Sequence, residues 1–433
     1  MKALGGMSLA TLIPFHDLIA RQGDSKFEKN SLYEKTLEIA QQLVDESPAD
    51  DILLRPRMGT GGGFKDLFLW DTAFIILWAK YHPDIFPINN TLDNFYRLQD
   101  EDGFIGRHYL QSGQSYFPKN HPSSFAPPLL SWAELEYFKM TQNKQRLSKV
   151  YSNLKAHHHF NTHQFKMDDN LFIGDPLGSG MDNLPRWPKG WRGGQGGLEL
   201  QANSFPNQVE AEHVKKYCKN YKLRWNQQGR YIDMSAQMAF NALCLKEIAQ
   251  IVGQTADIPI YEEQHRQIKE AINEKCWSEK SNFYFDLGFD KQVPRFHIGA
   301  YWTLIAGVVP EERLKPFISH LKDPKKFYRK VPVPTLAADE KGYSRKGDYW
   351  KGSVWAPTNY MVFHGLRKVG EEELAKHLAE KYYQAVTYIF NQTGTLWENY
   401  MPDKLKQGSR SQPDFCGWTG LASVAIFREF LMD

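Results

Sequence analysis

The segment DMSAQMAFNALCLKEIAQIV, residues 233–252, is apolar nearly all the way round a helical wheel. Met234, Ala239, Phe240, Leu243 and Ile248 leave it no broad solvent face, so as a helix it must be surrounded by other helices. The segment EEELAKHLAEKYYQAVTYIF, residues 371–390, carries Glu and Lys on one face, which predicts an outer position. Helical periodicity recurs on both sides of these two. Tyr33, Leu37, Ala40 and Val44 form one stripe over 31–46. Asp71 opens, as a capping residue, an almost wholly apolar helix to His82. Pro127 or Pro128 starts another through Trp132, Leu135 and Phe138. Segments 143–160, 260–276, 296–308, 352–367 and 415–431 follow the same rule. Buried helices alternating with amphipathic ones predict an all-α fold of helical hairpins stacked in two concentric layers. Strand-like stretches are few and short, Asn282–Leu287 being one. No low-complexity linker interrupts the pattern, so one domain over 1–433 is expected, with 1–30 as an N-terminal extension or first helix.

Four long stretches, 99–126, 163–232, 321–350 and 391–414, have little helical period and are rich in Gly, Pro, Asn and aromatics. Structureless loops beyond about 12–15 residues are uncommon unless functional. Gathered at one end of a helical ring, these would build a deep pocket. The chain holds 12 Trp, 21 Tyr and 27 Phe, more tryptophan than packing requires. Most aromatics should pack the two layers, but the loop residues Trp187, Trp191, Trp350 and Trp397 fit that role least well. Aromatic rings lie flat against the C–H faces of sugars while carboxylates take the hydroxyls. The mix predicts a small carbohydrate as the partner.

Charge excludes other classes. With 53 basic and 50 acidic side chains the net charge is +3, without the concentrated basic stripe of a nucleic-acid binder. The nearest approach is Lys322, Lys325, Lys326, Arg329 and Lys330, followed by Lys341, Arg345, Lys346 and Lys351. This run reads first as a solvated loop and second as a local site for an anionic substrate group. No stretch reaches the roughly 18 apolar residues of a membrane span. Cys218, Cys244, Cys276 and Cys416 form neither a CxxC pair nor a dense framework, which predicts free thiols in a reducing compartment. Met1 to Phe15 has one lysine and no small-x-small cleavage site, so a cytoplasmic location is expected. No nucleic acid, membrane or cofactor is expected as a partner, and the sequence sets no oligomeric state.

Glycoside hydrolysis needs two carboxyl groups, one protonated and one ionised. Asp182 lies in SGMDNLPRW (179–187), on a Gly-flanked turn beside aromatics, and Glu398 lies in TLWENY (395–400), between two rings. A carboxyl held against an indole loses hydration and its pKa rises, which suits an acid role. By context alone each reads equally as a turn-forming Asp or a surface Glu.

SGMDNLPRW resembles the general-acid segment of glycoside hydrolase family 63, SGMDNSPRW in its usual form, and the related SGWDxSxRW of the family 37 trehalases. Three further stretches agree in the same order. Phe68-Leu69-Trp70-Asp71 resembles the [YF]xWD segment that contacts the terminal sugar, DYWKGSVWAP (348–357) resembles YWRGPVWPP, and LWENY (396–400) resembles the segment carrying the general base. The resemblance covers about Gly59 to Phe430 and is closest to the compact bacterial members. It implies an (α/α)6 toroid and exo-acting, inverting hydrolysis of an α-glycosidic bond in a small α-glucoside, a related oligosaccharide or a glycosylglycerate. Asp182 would be the general acid and Glu398 the general base. Trp70, Asp71 and Arg186 would hold the innermost sugar, with Trp187, Trp350, Lys351, Trp355 and Trp397 as further substrate-binding residues. Lys351, Ser353 and Leu184 depart from the family's Arg, Pro and Ser, and Lys lacks the bidentate fork of Arg. A trehalase-like hydrolase, a sugar epimerase or isomerase on a similar toroid, and a binding protein without catalysis are the competing classes. The epimerase would need histidines where these motifs offer carboxylates.

Other signals carry less. GTGGGFK (59–65) has Phe64 where a phosphate-binding loop needs Gly before the Lys, so it reads as a turn approaching the pocket. GWRGGQGG (190–197) reads as a mobile loop, a lid beside the acid. His157, His158, His159 and His163 read as an exposed helix end, and no metal site is expected. Glu134 and Glu136 belong to an inner helix, from which one of them could reach sugar hydroxyls.

Overall fold

The computed structural model describes residues 29–48, 50–117, 119, 122–174, 178–186, 229–288 and 291–432. Outer and inner helices alternate along the chain. The first half runs α1 (Lys29–Gln42), α2 (Leu69–Ala79), α3 (Ile88–Arg97), α4 (Leu130–Thr141), α5 (Lys144–Phe165) and α6 (Ile232–Val252). The second runs α7 (Ile258–Ala271), α8 (Trp302–Ile305), α9 (Glu311–Lys322), α10 (Ala356–Lys368), α11 (Glu372–Thr393) and α12, the wide π-helical turns Leu421–Ala425 and Phe427–Leu431. The even-numbered elements pack in the order α2, α4, α6, α8, α10, α12, and α12 returns to α2, which closes a ring. The odd-numbered helices lie outside: α3 on α2, α5 and α7 on α6, α11 on α10 and α1 on α12.

Sequence pattern accounts for the layers. Every residue of α2 except Asp71 is buried, as an inner helix demands. In α3 the buried apolar residues Ile88, Leu92 and Phe95 form a single stripe, and burying each such side chain contributes about 1.5–3 kcal/mol. The closure between α12 and α2 is stitched from both sides. On the α2 side Trp78 Nε1 donates to the Gly417 carbonyl at 2.8 Å, just ahead of α12, and on the outer side Thr36 Oγ1 of α1 donates to Ser423 Oγ of α12 at 2.6 Å. A Cβ at Gly420 would meet the Trp78 indole at 2.4 Å, so only glycine fits there. Behind the α2 C-terminus lies a polar cluster centred on the Glu429 carboxylate. It accepts from Tyr81, Tyr360 and the His364 ring, and Lys80 bridges it to Glu136 at 3.2 and 2.8 Å.

Short antiparallel pairs decorate the ring: β1 (Val44–Asp45) with β2 (Arg57–Met58), β3 (Leu67–Phe68) with β4 (His108–Tyr109), and β6 (Trp277–Ser278) with β7 (Phe283–Tyr284). β8 (Asp286–Gly288) sits between β5 (Gly229–Arg230) and β9 (Lys291–Val293). The strand expected over 282–287 is thus split between β7 and β8.

Several expectations need correction. Asp71 does not cap α2; it lies in the first turn, after Phe68 at the cap position, which leaves its carboxyl available elsewhere. α3 and α9 were not expected: α3 is short and Asn-rich, and α9 carries Pro316 inside it. Segment 296–308 forms a 3₁₀ turn, Ile298–Tyr301, and the single turn of α8. His157 and His158 are buried inside α5 rather than exposed; His158 bonds Gln264 and Asn241, and burial holds both rings well below the usual histidine range, His157 at about 3 and His158 at about 4. Cys244, Cys276 and Cys416 are buried free thiols, and Cys218 lies outside the described residues. No described helix is long and apolar enough to cross a membrane.

Candidate active site

The N-terminus of α2 is fixed by the β3–β4 pair. Leu67 faces Tyr109, Phe68 faces His108, and the Leu69 N–H donates to the Arg107 carbonyl at 2.9 Å. This register places Trp70 and Asp71 beside Arg107. Asp71 keeps some exposure as a residue, but the protein packed around its carboxyl strips its hydration, and this first pushes it up to about 8, against the opposing pull of Arg107, with the charges of Glu398 and Asp182 adding to the rise. Three carboxyl groups from three distant motifs therefore share one electrostatic environment.

The loop carrying Asp182 is pinned on two sides. Gly180 takes φ +73°, and a Cβ there would stand 3.3 Å from the Trp70 indole, so backbone sign and space both select glycine. Met181 and Leu184 are buried, and the intervening Asp182 and Asn183 are only partly so. Asn183 Oδ1 accepts from the Trp350 N–H at 2.8 Å, and its Nδ2 donates to the Asp348 carbonyl at 3.2 Å.

Glu398 sits on an extended segment bridged to Val354 through Tyr400, with its N–H donating to the Gln412 carbonyl at 3.0 Å. It is 5% exposed. Burial lifts it to about 7, a backbone hydrogen bond from Gln412 opposes this, and the Asp182 charge adds to the rise. Tyr349 completes the group. It adopts φ +58°, a left-handed conformation rare for a bulky residue. Its phenol is pushed up by burial and then by the charges of Asp182, Glu398 and Asp71.

The arrangement has known relatives. Residues 66–417 match the mannosylglycerate hydrolase MGH1-like glycoside hydrolase domain. The chain belongs to that family. Mannosylglycerate hydrolase from Rubrobacter radiotolerans is 24% identical over 417 residues, covering 83% of this chain and 90% of that protein. An uncharacterized protein from Borreliella burgdorferi is 26% identical over 72% of this chain, and mannosyl-oligosaccharide glucosidase from Saccharomyces cerevisiae is 21% identical over 83% of it. The chain spans only 59% and 49% of those two proteins. The family 63 mannosylglycerate hydrolase from Thermus thermophilus, solved with glucose, superposes with a TM-score of 0.70 at 18% identity, over 92% of this chain and 99% of that one. That likeness establishes the helical toroid expected from the motifs.

Within this MGH1-like domain the other expected residues divide. Trp70 packs directly against Gly180 in the loop that carries Asp182. Trp350 and Trp355 stack in parallel at 3.9 Å and are 1% and 0% exposed, so neither ring offers a face to a sugar. Lys351 pairs with Asp348 at 2.9 Å, where Arg410 also approaches at 3.4 Å. The Trp397 indole donates to Thr393 Oγ1 at 3.1 Å, tying it to the end of α11. Arg186 is 1% exposed and is held by Asp233 and by Asp286, the latter at 2.8 Å, so its guanidinium is not presented to a substrate. Trp187, Trp191 and the segment 190–197 lie outside the described residues. Glu134 is taken up by Arg146 and Tyr96, and Glu136 by Lys80 and Lys139; neither reaches the site. Much of the basic run is engaged in ion pairs, Lys326 with Asp339 and Arg329 with Asp403, as a surface segment would be. Among the described residues no cluster of His, Cys, Asp or Glu could hold a metal ion.

Sequence reading missed Arg107 and Tyr349. Arg107 gains its place only through the β3–β4 register. Tyr349 stood inside a quoted motif, but nothing in its type signals a left-handed backbone.

Proposed function

We propose that the chain is an exo-acting, inverting α-glycosidase with Asp182 as general acid and Glu398 as general base. The observation that carries this reading is the electrostatic coupling of two carboxyls on separately pinned loops. Burial and the Asp182 charge both resist ionisation of Glu398, so the pair holds a proton more readily than two isolated carboxyls would, and the place of Asp182 in the SGMDNLPRW motif is what gives it the acid role. Asp182 gives its proton to the glycosidic oxygen as the C1–O bond breaks. Glu398 takes a proton from the water that attacks C1 from the opposite face. Space for that water requires the two carboxyls to stand about 6.5–9.5 Å apart. Trp70 and Asp71, with Arg107 beside them, hold the terminal sugar in this reading.

The substrate is a small α-glucoside or a glycosylglycerate. Similarity across most of the chain to a protein named mannosylglycerate hydrolase supports the second. A proton NMR time course with mannosylglycerate, glucosylglycerate, trehalose and other α-linked glucosides tests the reading. From every substrate except trehalose the β-anomer of the released sugar should appear first, and initial release of the α-anomer contradicts inversion. Trehalose should give α- and β-glucose together, because its leaving glucose keeps the α configuration, and turnover of trehalose alone would move the chain to the trehalase-like class.

A further inference from the structure

Arg186 was expected at the sugar and is instead the centre of a buried ion cluster. Its Nη1 donates to Asp286 Oδ2 at 2.8 Å, its Nη2 donates to Asp233 Oδ2, and its guanidinium lies 4.2 Å from the centre of the Tyr231 ring. Asp286 Oδ1 accepts from the Ile232 N–H at 2.8 Å, and Asp286 Oδ2 also meets His297 Nε2 at 3.2 Å. Asp233 lies in the first turn of α6 and takes the Met234 N–H at 2.9 Å. A Cβ at Gly299 would come within 3.0 Å of Asp233 Oδ2 and 2.9 Å of His297 Nδ1, so the cluster is enclosed on that side by backbone.

A buried ion cluster is a poor way to gain stability, because desolvation offsets much of the attraction. What it provides is direction. The positive end of α6 attracts the two aspartates, and they grip the planar fork of Arg186 at a fixed angle. Arg186 follows Asp182 by four residues, and its N–H donates to the Leu184 carbonyl at 2.8 Å. With Gly180 on Trp70 at one end and Asn183 on the 348–350 segment, the α6 cluster supplies a third anchor for the loop.

We infer that Arg186 is a positioning residue: it locks the general-acid loop to the N-terminus of α6 and so sets the reach of Asp182 toward the glycosidic oxygen. This rests on the assignment of Asp182 as the acid. If it holds, damage to the clamp hurts only reactions that need a proton on the leaving group. Arg186→Lys keeps the charge but loses the fork, and Asp286→Asn weakens one arm while leaving Arg186 in place.

Each variant is compared with wild type and Asp182→Asn on two substrates of the same sugar, the glycosylglycerate or glucoside that wild type hydrolyses and the α-glycosyl fluoride. Thermal melts check folding. For Arg186→Lys, kcat on the natural glycoside should fall on the order of 10²-fold with KM little changed, as expected when a reacting group moves by about 1 Å. On the fluoride, whose leaving group departs with little acid assistance, the loss should largely vanish. Asp286→Asn should show the same split more weakly, and it carries the test if Arg186→Lys does not fold. An equal loss on both substrates, or a rise in KM with kcat kept, overturns the inference while Asp182→Asn shows the split. If Asp182→Asn itself shows no split, the assignment of the acid fails first, and the role of Arg186 with it.

Discussion

Glu398 is held at about 7 against an ordinary value of 4.5, and this has consequences for rate and for stability. A general base works only when ionised. kcat/KM should therefore fall as pH drops through about 7, and a pH–rate profile flat down to 5 would contradict the base role. For stability the sign runs the other way. The folded state binds this proton more tightly than the unfolded chain does, so stability declines as pH rises from 4.5 towards 7. The shift corresponds to about 3 kcal/mol at most. Glu398→Gln removes that penalty and should raise the melting temperature at pH 8, with the gain shrinking towards pH 4. The same variant and Asp182→Asn should each lose roughly 10²–10⁴-fold in turnover, the usual worth of a proton-transfer group. A stabilised but inactive Glu398→Gln would join both arguments in one protein.

At the scale of elements, the loop carrying Asp182 depends on Gly180, whose φ of +73° strains any L side chain and whose Cβ would stand a tight 3.3 Å from the Trp70 indole. Gly180→Ala should cost about 1 kcal/mol or more in denaturant unfolding, since alanine is strained at positive φ. It should also lower kcat on the natural glycoside, because the strain falls two residues from Asp182. Loss of stability without loss of rate would place the loop's precision elsewhere. The elements most readable from sequence were those with one dominant period: α6, apolar all round, and α11, with its charged face. α9 was hidden by Pro316, a breaker that the surrounding packing overrides. α3 was hidden by its polar Asn89 and Asn90, although Ile88, Leu92 and Phe95 carried a stripe. The carboxyls were legible because their motifs are local. Arg107, Tyr349 and the partners of Arg186 were not, because pairing between distant segments creates their roles. No period along the chain reports that Asp233 and Asp286 meet at one guanidinium.

For the whole molecule, the ring divides its functions between its two ends. Asp71 lies in the first turn of α2 and Lys80 follows its last, about 13 Å away along the helix axis. The Glu429 cluster at that far end joins the C-terminus of α2 to α4, α10 and α12. Hydrogen bonds from His364 and Tyr81 and the charge of Lys80 outweigh burial and hold Glu429 at about 2, so its contribution to stability is lost as pH falls from 4.5 through about 2. Glu429→Ala leaves Lys80 and its neighbours without a counter-charge and should destabilise by roughly 3–5 kcal/mol, read from chemical denaturation. The residual folded fraction should keep its KM. The contact between α12 and α2 has one more consequence, in time. During synthesis Asp71 and Asp182 leave the ribosome long before Glu398, and the ring has no closing partner for α2 until residues 421–431 follow. Non-local closure of this kind is slow and exposes apolar surface while it waits. The nascent chain thus carries a bare α2 flank through most of translation, and a chaperone that shields apolar helices should bind ribosomes stalled at residue 400 and release those stalled on an added C-terminal linker that carries residue 433 clear of the exit tunnel.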